Sequence, residues 1–216
     1  MIKSDLFPPI FEALGGTMKT LPPVSYRERI CLSCRDKTCC SYYTVTVRAQ
    51  DLLRIARNMQ LAPSDFLSYH ALPEGERGGF LLDPAGPGCA LTLMRRSFPG
   101  DTAAPCIFLL RTNDQHGRCG LGDLRPGQCR TYPSYFADSF VAVAHFPAGC
   151  VRTWSYGDMD LEEERKKLRH ARAEEAVHEA LVEEWNQRVR SEGRERSCDE
   201  FCTFLVNRVQ EQEAAV

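Results

Sequence analysis

Eleven cysteines in 216 residues constrain this chain more than any other feature. They are Cys31, Cys34, Cys39, Cys40, Cys89, Cys106, Cys119, Cys129, Cys150, Cys198 and Cys202. The number is odd, and the chain is long for a disulfide-stapled mini-scaffold. Four of the eleven fall in the polar stretch 31–40. A cysteine acting only as a small apolar core residue has no reason to bunch there. Residues 1–25 lack the basic-then-apolar order of a secretory leader. A reducing, cytoplasmic setting is therefore expected, where structural disulfides are rare. Clustered thiols in such a setting read as metal ligands, whereas the isolated Cys89 reads as a core residue.

The rest of the composition is ordinary and mainly excludes. Lys+Arg total 27 against Asp+Glu 29, for a net charge of −2. That balance argues against nucleic-acid binding driven by phosphate contacts. No apolar run approaches the ~20 residues of a membrane span. A chain of this length should bury roughly 70% of its unfolded surface, enough for a core.

The expected class is α+β: a small, cysteine-rich, metal-centred domain of short strands and helices, followed by a C-terminal helical extension. An irregular arm is expected over 1–24, the cysteine domain over 25–156 and the extension over 157–216. The arm holds a short helix near Phe11, closed by Gly15-Gly16. Residues 42–47 are aromatic and β-branched and read as a strand. Residues 51–59 and 63–70 read as helices. Residues 73–88 form a Gly- and Pro-rich loop around a short strand at 80–82, with 90–95 as its antiparallel partner. Residues 106–110 read as a strand, 113–117 as a turn, and 135–146 as one further strand. From 160 to 190 there is no Gly or Pro, and Val177, Leu181, Trp185 and Val189 recur every four residues. That is one long amphipathic helix, with 162–169 as a solvated face. Gly193 breaks it, and a second helix runs over 198–212 with Phe201, Phe204, Leu205 and Val209 inward.

Cys31 and Cys34 form a C-x2-C, a spacing that brings two thiolates onto one ion with sulfurs roughly 3.8 Å apart. Cys39 and Cys40 are adjacent. In an extended chain neighbouring side chains diverge, so these two are expected to take different roles. Cys106, Cys119, Cys129 and Cys150 make a dispersed second group. The chain has neither a second C-x2-C, as in zinc ribbons, nor a ferredoxin run. Spacing thus gives metal binding without naming the metal. It also leaves open one cluster or two four-cysteine sites.

The ordered set Cys31-x2-Cys34-x4-Cys39-Cys40, Pro105-Cys106-x-Phe108-Leu109, Cys119 and Arg125-Pro126-x2-Cys129-Arg130-x-Tyr132-Pro133 resembles the YkgJ-type cysteine-cluster family. Its members are described as zinc- or iron-chelating or as Fe–S-cluster-containing proteins. The resemblance runs over about 31–150 and leaves out the helical tail. It implies metal ligation by Cys31, Cys34, Cys39, Cys40, Cys106, Cys119 and Cys129, with Cys150 matching a less regular late cysteine. Flagellin lysine methylases carry a similar cluster. Arg125 and Arg130 flank Cys129. They can offset the negative charge of a thiolate-bound centre and donate hydrogen bonds to sulfur, or pair with carboxylates such as Asp123. Tyr132 reads as a packing residue.

Other signals are weak. Of the five histidines only His116, three residues before Cys119, is placed to join the ligands. There is no G-x-S-x-G, P-loop or dinucleotide fingerprint. Cys198 and Cys202 are four apart on a helix and read as facing the core. The expected function is that of a metal-binding protein, with an Fe–S cluster in an electron-transfer or redox role. The alternative is a zinc-stabilised module whose C-terminal helices bind a protein partner. A transferase related to the flagellin methylases is a third reading.

Overall fold

The computed structural model describes residues 26–34, 38–76, 78–97, 104–111, 117–144, 150 and 153–215. The N-terminal helix expected near Phe11, His116 and the segment before Cys150 lie outside these residues. The architecture is α+β, with three separate antiparallel strand pairs among the described residues and a C-terminal helical part.

Leu52, Leu53 and Ile55 recur at helical spacing and are buried on one face of α3 (Ala49–Met59), after the short helices α1 (Tyr26–Ser33) and α2 (Thr38–Tyr42). Gln60 ends α3 in the left-handed conformation, with φ 54°. Pro63 begins α4 (Pro63–Phe66), where its missing N–H costs nothing. The helix expected over 63–70 stops there. The chain turns extended at Leu67 and becomes β1 (Leu67–Ala71), which pairs antiparallel with β2 (Cys89–Leu93) from Leu67↔Leu93 to Ala71↔Cys89. Cross-strand pairing thus overrides the local helical pattern.

The strand expected over 42–47 is shorter than its composition suggests. Tyr42 closes α2, and only the chain around Thr46 joins β2 on its other edge. There Val47 N–H donates to Leu91 O at 3.0 Å and Leu93 N–H to Val45 O at 2.9 Å. The strand at 80–82 reduces to one bridge, Phe80↔Cys89. Two glycines permit it. A side chain on Gly79, at φ +76°, would stand 2.7 Å from Cys89 O, and one on Gly88 would stand 2.3 Å from Gly78 O.

Strands β3 (Leu109–Arg111) and β4 (Gly117–Cys119) form the second pair, and Cys106 instead bridges Arg95. A 3-10 turn (Gly122–Leu124) leads into α5 (Gly127–Thr131). The strand expected over 135–146 folds back on itself as β5 (Ser134–Ala137) and β6 (Phe140–Val143). Its turn at Asp138 has φ 55°, a conformation Asp tolerates.

The helical part follows its caps. Asp160 accepts the N–H groups of Glu162 and Glu163 at the start of α6 (Leu161–Glu192), and Gly193 ends it at φ 64°. Ser197 and Glu200 cap α7 (Cys198–Ala214) reciprocally. The solvated face expected over 162–169 is corrected at three positions: Glu164, Lys167 and Leu168 are buried. Ser134 Oγ donates to Glu164 at 2.9 Å, and Lys167 Nζ stands 3.9 Å from the same carboxylate. The β5–β6 hairpin covers this face, so charges that read as surface groups become internal partners.

The composition changes at 156/157, but the core does not. One hydrophobic cluster joins Val47, Leu52, Ile55, Phe66, Phe80 and Leu91 to Leu181, Trp185, Val189, Phe201 and Leu205. Trp185 Nε1 donates to Leu81 O at 2.7 Å, and Asn186 bridges Leu81 N–H and Gly79 O. The helical extension therefore completes the core of the cysteine domain.

Candidate metal centre

Separate elements deliver the thiols. α2 carries Cys39 and Cys40, the Arg95 bridge fixes Cys106, β4 ends in Cys119, and α5 carries Cys129. Cys106 N–H donates to Cys40 O at 2.8 Å, and Cys119 lies opposite Leu109 in the β3–β4 pair. The electrostatics link them as one group. Cys40 feels Cys39, Cys119 and Cys129, and Cys129 feels Cys119, Cys106 and Cys39.

Cys39 and Cys40 depart from the divergence expected of neighbours. They sit in a helix, not an extended chain, and their sulfurs are 4.0 Å apart. That is close to the ~3.8 Å that two sulfurs on one tetrahedral ion must keep. Both face the same group of thiols.

The remaining predicted ligands lie around this group. α1 carries Cys31 and packs against β4. Cys34 follows the helix end, with its N–H on Cys31 O at 3.3 Å. Cys150 accepts from Trp154 Nε1 at 3.3 Å. The charges of Cys150 and Cys39 both act on Tyr132. Tyr132 packs edge-to-face on Tyr43 at 5.5 Å, in keeping with its reading as a packing residue. Cys89, Cys198 and Cys202 lie apart, in the corner where β2 meets α7.

Burial and mutual repulsion set the protonation state. The hydrogen bond with Cys39, and then burial, push Cys40 far up. Burial pushes Cys106 up to about 11, against the opposing Arg95. It also raises Cys129 well above its ordinary value, with Arg125 acting the other way. At neutral pH these three are neutral thiols. Among the described residues, no three Cys, His, Asp or Glu side chains already stand at the spacing that holds a metal ion. The group is a gathering of thiols in which the Cys39 hydrogen bond and burial raise Cys40, and burial raises Cys106 and Cys129.

Both predicted arginines are buried, Arg125 at 5% and Arg130 at 3% exposure, while Asp123 is exposed. Arg125 donates through Nε to Gly122 O at 3.0 Å, and its charge acts on Cys129. Sequence reasoning missed Arg95. Its guanidinium donates to the carbonyls of Ser41 and Tyr43, pinning the end of α2, and its charge favours the Cys106 thiolate. Nothing in the local sequence marks it, because the Arg95↔Cys106 pairing is long-range. Trp154 was also missed, although it lies only four residues after Cys150, to whose sulfur it donates.

The donor set suits a soft cation. Thiolates select zinc, Cu(I) and Fe–S clusters over hard oxygen-seeking ions. No family model, curated protein or solved structure matches the chain.

Proposed function

We propose that the protein binds an Fe–S cluster through its central cysteines and has an electron-transfer or redox role in the cytoplasm. One observation carries the reading: Cys39, Cys40, Cys106, Cys119 and Cys129, from distant parts of the chain, form one electrostatic group flanked by buried Arg125 and by Arg95. A fold that needed only small apolar residues would not collect five thiols beside cations. Cys31, Cys34 and Cys150 are the nearby reserve of ligands. The resemblance to YkgJ-type proteins over 31–150 supports the same reading. When bound, a cluster would supply one-electron chemistry. Arg95 and Arg125 offset the thiolate charge, and Arg95 also holds α2 in place.

The second reading is a zinc-stabilised module that binds a protein partner through its C-terminal helices. The 4.0 Å separation of Cys39 and Cys40 sulfurs suits a tetrahedral ion. The apolar stripe of α6 is spent on the core, so such a partner would meet the charged outer faces of α6 and α7.

Anaerobic expression with iron, followed by metal analysis and visible spectroscopy, tests the proposal. A coloured protein containing iron and acid-labile sulfide is the expected result. A colourless, stoichiometric zinc protein moves the reading to the module. Neither metal above trace, before or after reconstitution, overturns both.

A further inference from the structure

Many arginines of the chain are spent on carboxylates. Arg48, Arg54, Arg57, Arg188 and Arg208 each pair with a glutamate. One stretch of α6 departs from this pattern. Arg165, Arg169 and Arg172 follow one another at i+4 and i+3 spacing. Three like charges on one helix stripe repel and cost helix stability. Glu162 relieves Arg165 at 3.1 Å. Arg169 and Arg172 are exposed, and among the described residues neither makes a hydrogen bond or an ion pair. The guanidinium of Arg172 lies over the Phe136 ring, 5.9 Å from its centroid.

Both side chains line a cavity of about 490 Å³ between α6 and the turn of the β5–β6 hairpin. Phe136, Asp138, Ser139 and Ala173 complete its lining. The hairpin is anchored on α6 by Ser134 Oγ, which donates to buried Glu164 at 2.9 Å. Asp138 supplies the one carboxylate of the cavity, yet it pairs with neither arginine. Two cations and one anion therefore face the same space without cancelling each other.

The ligand chemistry follows from that arrangement. Two guanidinium forks match the oxygens of a phosphate. Their combined charge balances a phosphate monoester, which carries about −1.5 to −2 near neutral pH. A single carboxylate leaves one guanidinium uncompensated. Ser139 adds a hydroxyl donor. Asp138 repels a bare phosphate but accepts from a cationic N–H, and Phe136 offers an apolar wall to a short carbon chain.

We propose that the cavity between α6 and the β5–β6 turn binds a small phosphate monoester that carries an ammonium group, with its phosphate on Arg169 and Arg172 and its ammonium on Asp138. The site is separate from the cysteine centre and does not depend on which metal the thiols hold.

The test is isothermal titration calorimetry on the full-length protein at about 0.15 M salt, where diffuse charge attraction is screened. The probes are O-phosphoethanolamine, inorganic phosphate and an N-acetylated phosphoserine amide, which keeps the monoester and lacks the ammonium. O-phosphoethanolamine is expected to saturate one site and to bind severalfold more tightly than the other two. Arg169→Gln and Arg172→Gln should each weaken it by about tenfold, as expected for a lost charged hydrogen-bond donor. Asp138→Asn should erase the preference over inorganic phosphate without weakening inorganic phosphate itself. Asn tolerates the positive φ of this turn position. Lys166→Gln, outside the cavity lining, should change no affinity by more than about twofold. All four positions are exposed, so the substitutions leave the core intact. No saturable binding of O-phosphoethanolamine at millimolar concentration overturns the proposal. So does a loss in Lys166→Gln equal to that in Arg169→Gln, or an acetylated probe that binds as tightly as the free amine.

Discussion

A thiol buried among other thiols keeps its proton until a cation replaces it. Cys40, Cys106 and Cys129 are in that position. Metal uptake must therefore expel protons. Zinc titration in two buffers of different ionisation enthalpy should show proton release, and affinity should rise as pH goes from about 6 to 9; a pH-independent affinity would exclude these ligands. The substitution Cys129→Ser is expected to abolish most metal retention and to lower stability, while Cys202→Ser keeps the metal content unchanged. The sulfurs of Cys39 and Cys40 share one neighbourhood. Either substitution, to Ser, should thus weaken the same site rather than empty separate halves, as metal-to-protein ratios on the two variants will show. Arg125→Gln removes the cation beside Cys129 and should raise metal loss to a competing chelator severalfold.

Between elements, a buried ionic network joins α3, α5 and α6. Asp51 accepts the Gly127 N–H at 3.1 Å and caps α3 through Arg48 N–H, while Arg54 pairs with both Asp51 and Glu174. Arg48 reaches Ala171 O at 2.9 Å. The first turn of α5, two residues before Cys129, is thereby fixed against two other helices. The network titrates in two opposing directions. Burial raises Asp51 to about 6, against the pull of Arg54. The folded state thus holds the Asp51 proton longer than the unfolded chain, and its contribution is present below about pH 4 and lost as pH rises through 6. Burial, then the charge of Arg48, lowers His178 to about 4. Its contribution is present above about pH 6.5 and lost as pH falls towards 4. Across pH 4–6 the two slopes oppose each other. Asp51→Asn should leave stability rising with pH in that window, and His178→Leu should leave it falling. Each change amounts to up to about 3 kcal/mol at the usual 1.36 kcal/mol per pKa unit. Denaturant melts at pH 4, 5 and 6 measure both, and parallel wild-type and variant slopes would refute the assignment.

For the whole molecule, the cysteine domain and the helical extension share one core. A fragment ending at 156 lacks Trp185, Val189, Phe201 and Leu205, which cover Phe80, Leu52 and Ile55. It also leaves Leu81 N–H without Asn186 and Leu81 O without Trp185. Such a fragment is expected to show no cooperative thermal transition, with or without added metal, and co-expression with 157–216 should restore one. A stable, cooperatively unfolding 1–156 fragment would show that the core divides. No helix among the described residues is long and apolar enough to cross a membrane.

The long helix was legible in the sequence because its signals are local: unbroken helix formers, an Asp160 cap and a Gly193 stop. The clustering of thiols was legible too, since 31–40 and the Arg-flanked Cys129 stand out by spacing and chemistry alone. What the sequence left undecided depends on residues far apart in the chain. Residues 67–70 read as helix until β2 offered them hydrogen-bond partners. Residues 135–146 read as one strand because a turn at Asp138 carries no glycine. Glu164 and Lys167 read as surface charges until the β5–β6 hairpin covered them. Arg95 had no local mark of a role beside Cys106. In each case tertiary contact supplied the pairing or desolvation that periodicity cannot encode, and it alone placed the thiols of Cys39, Cys40, Cys106, Cys119 and Cys129 in one group.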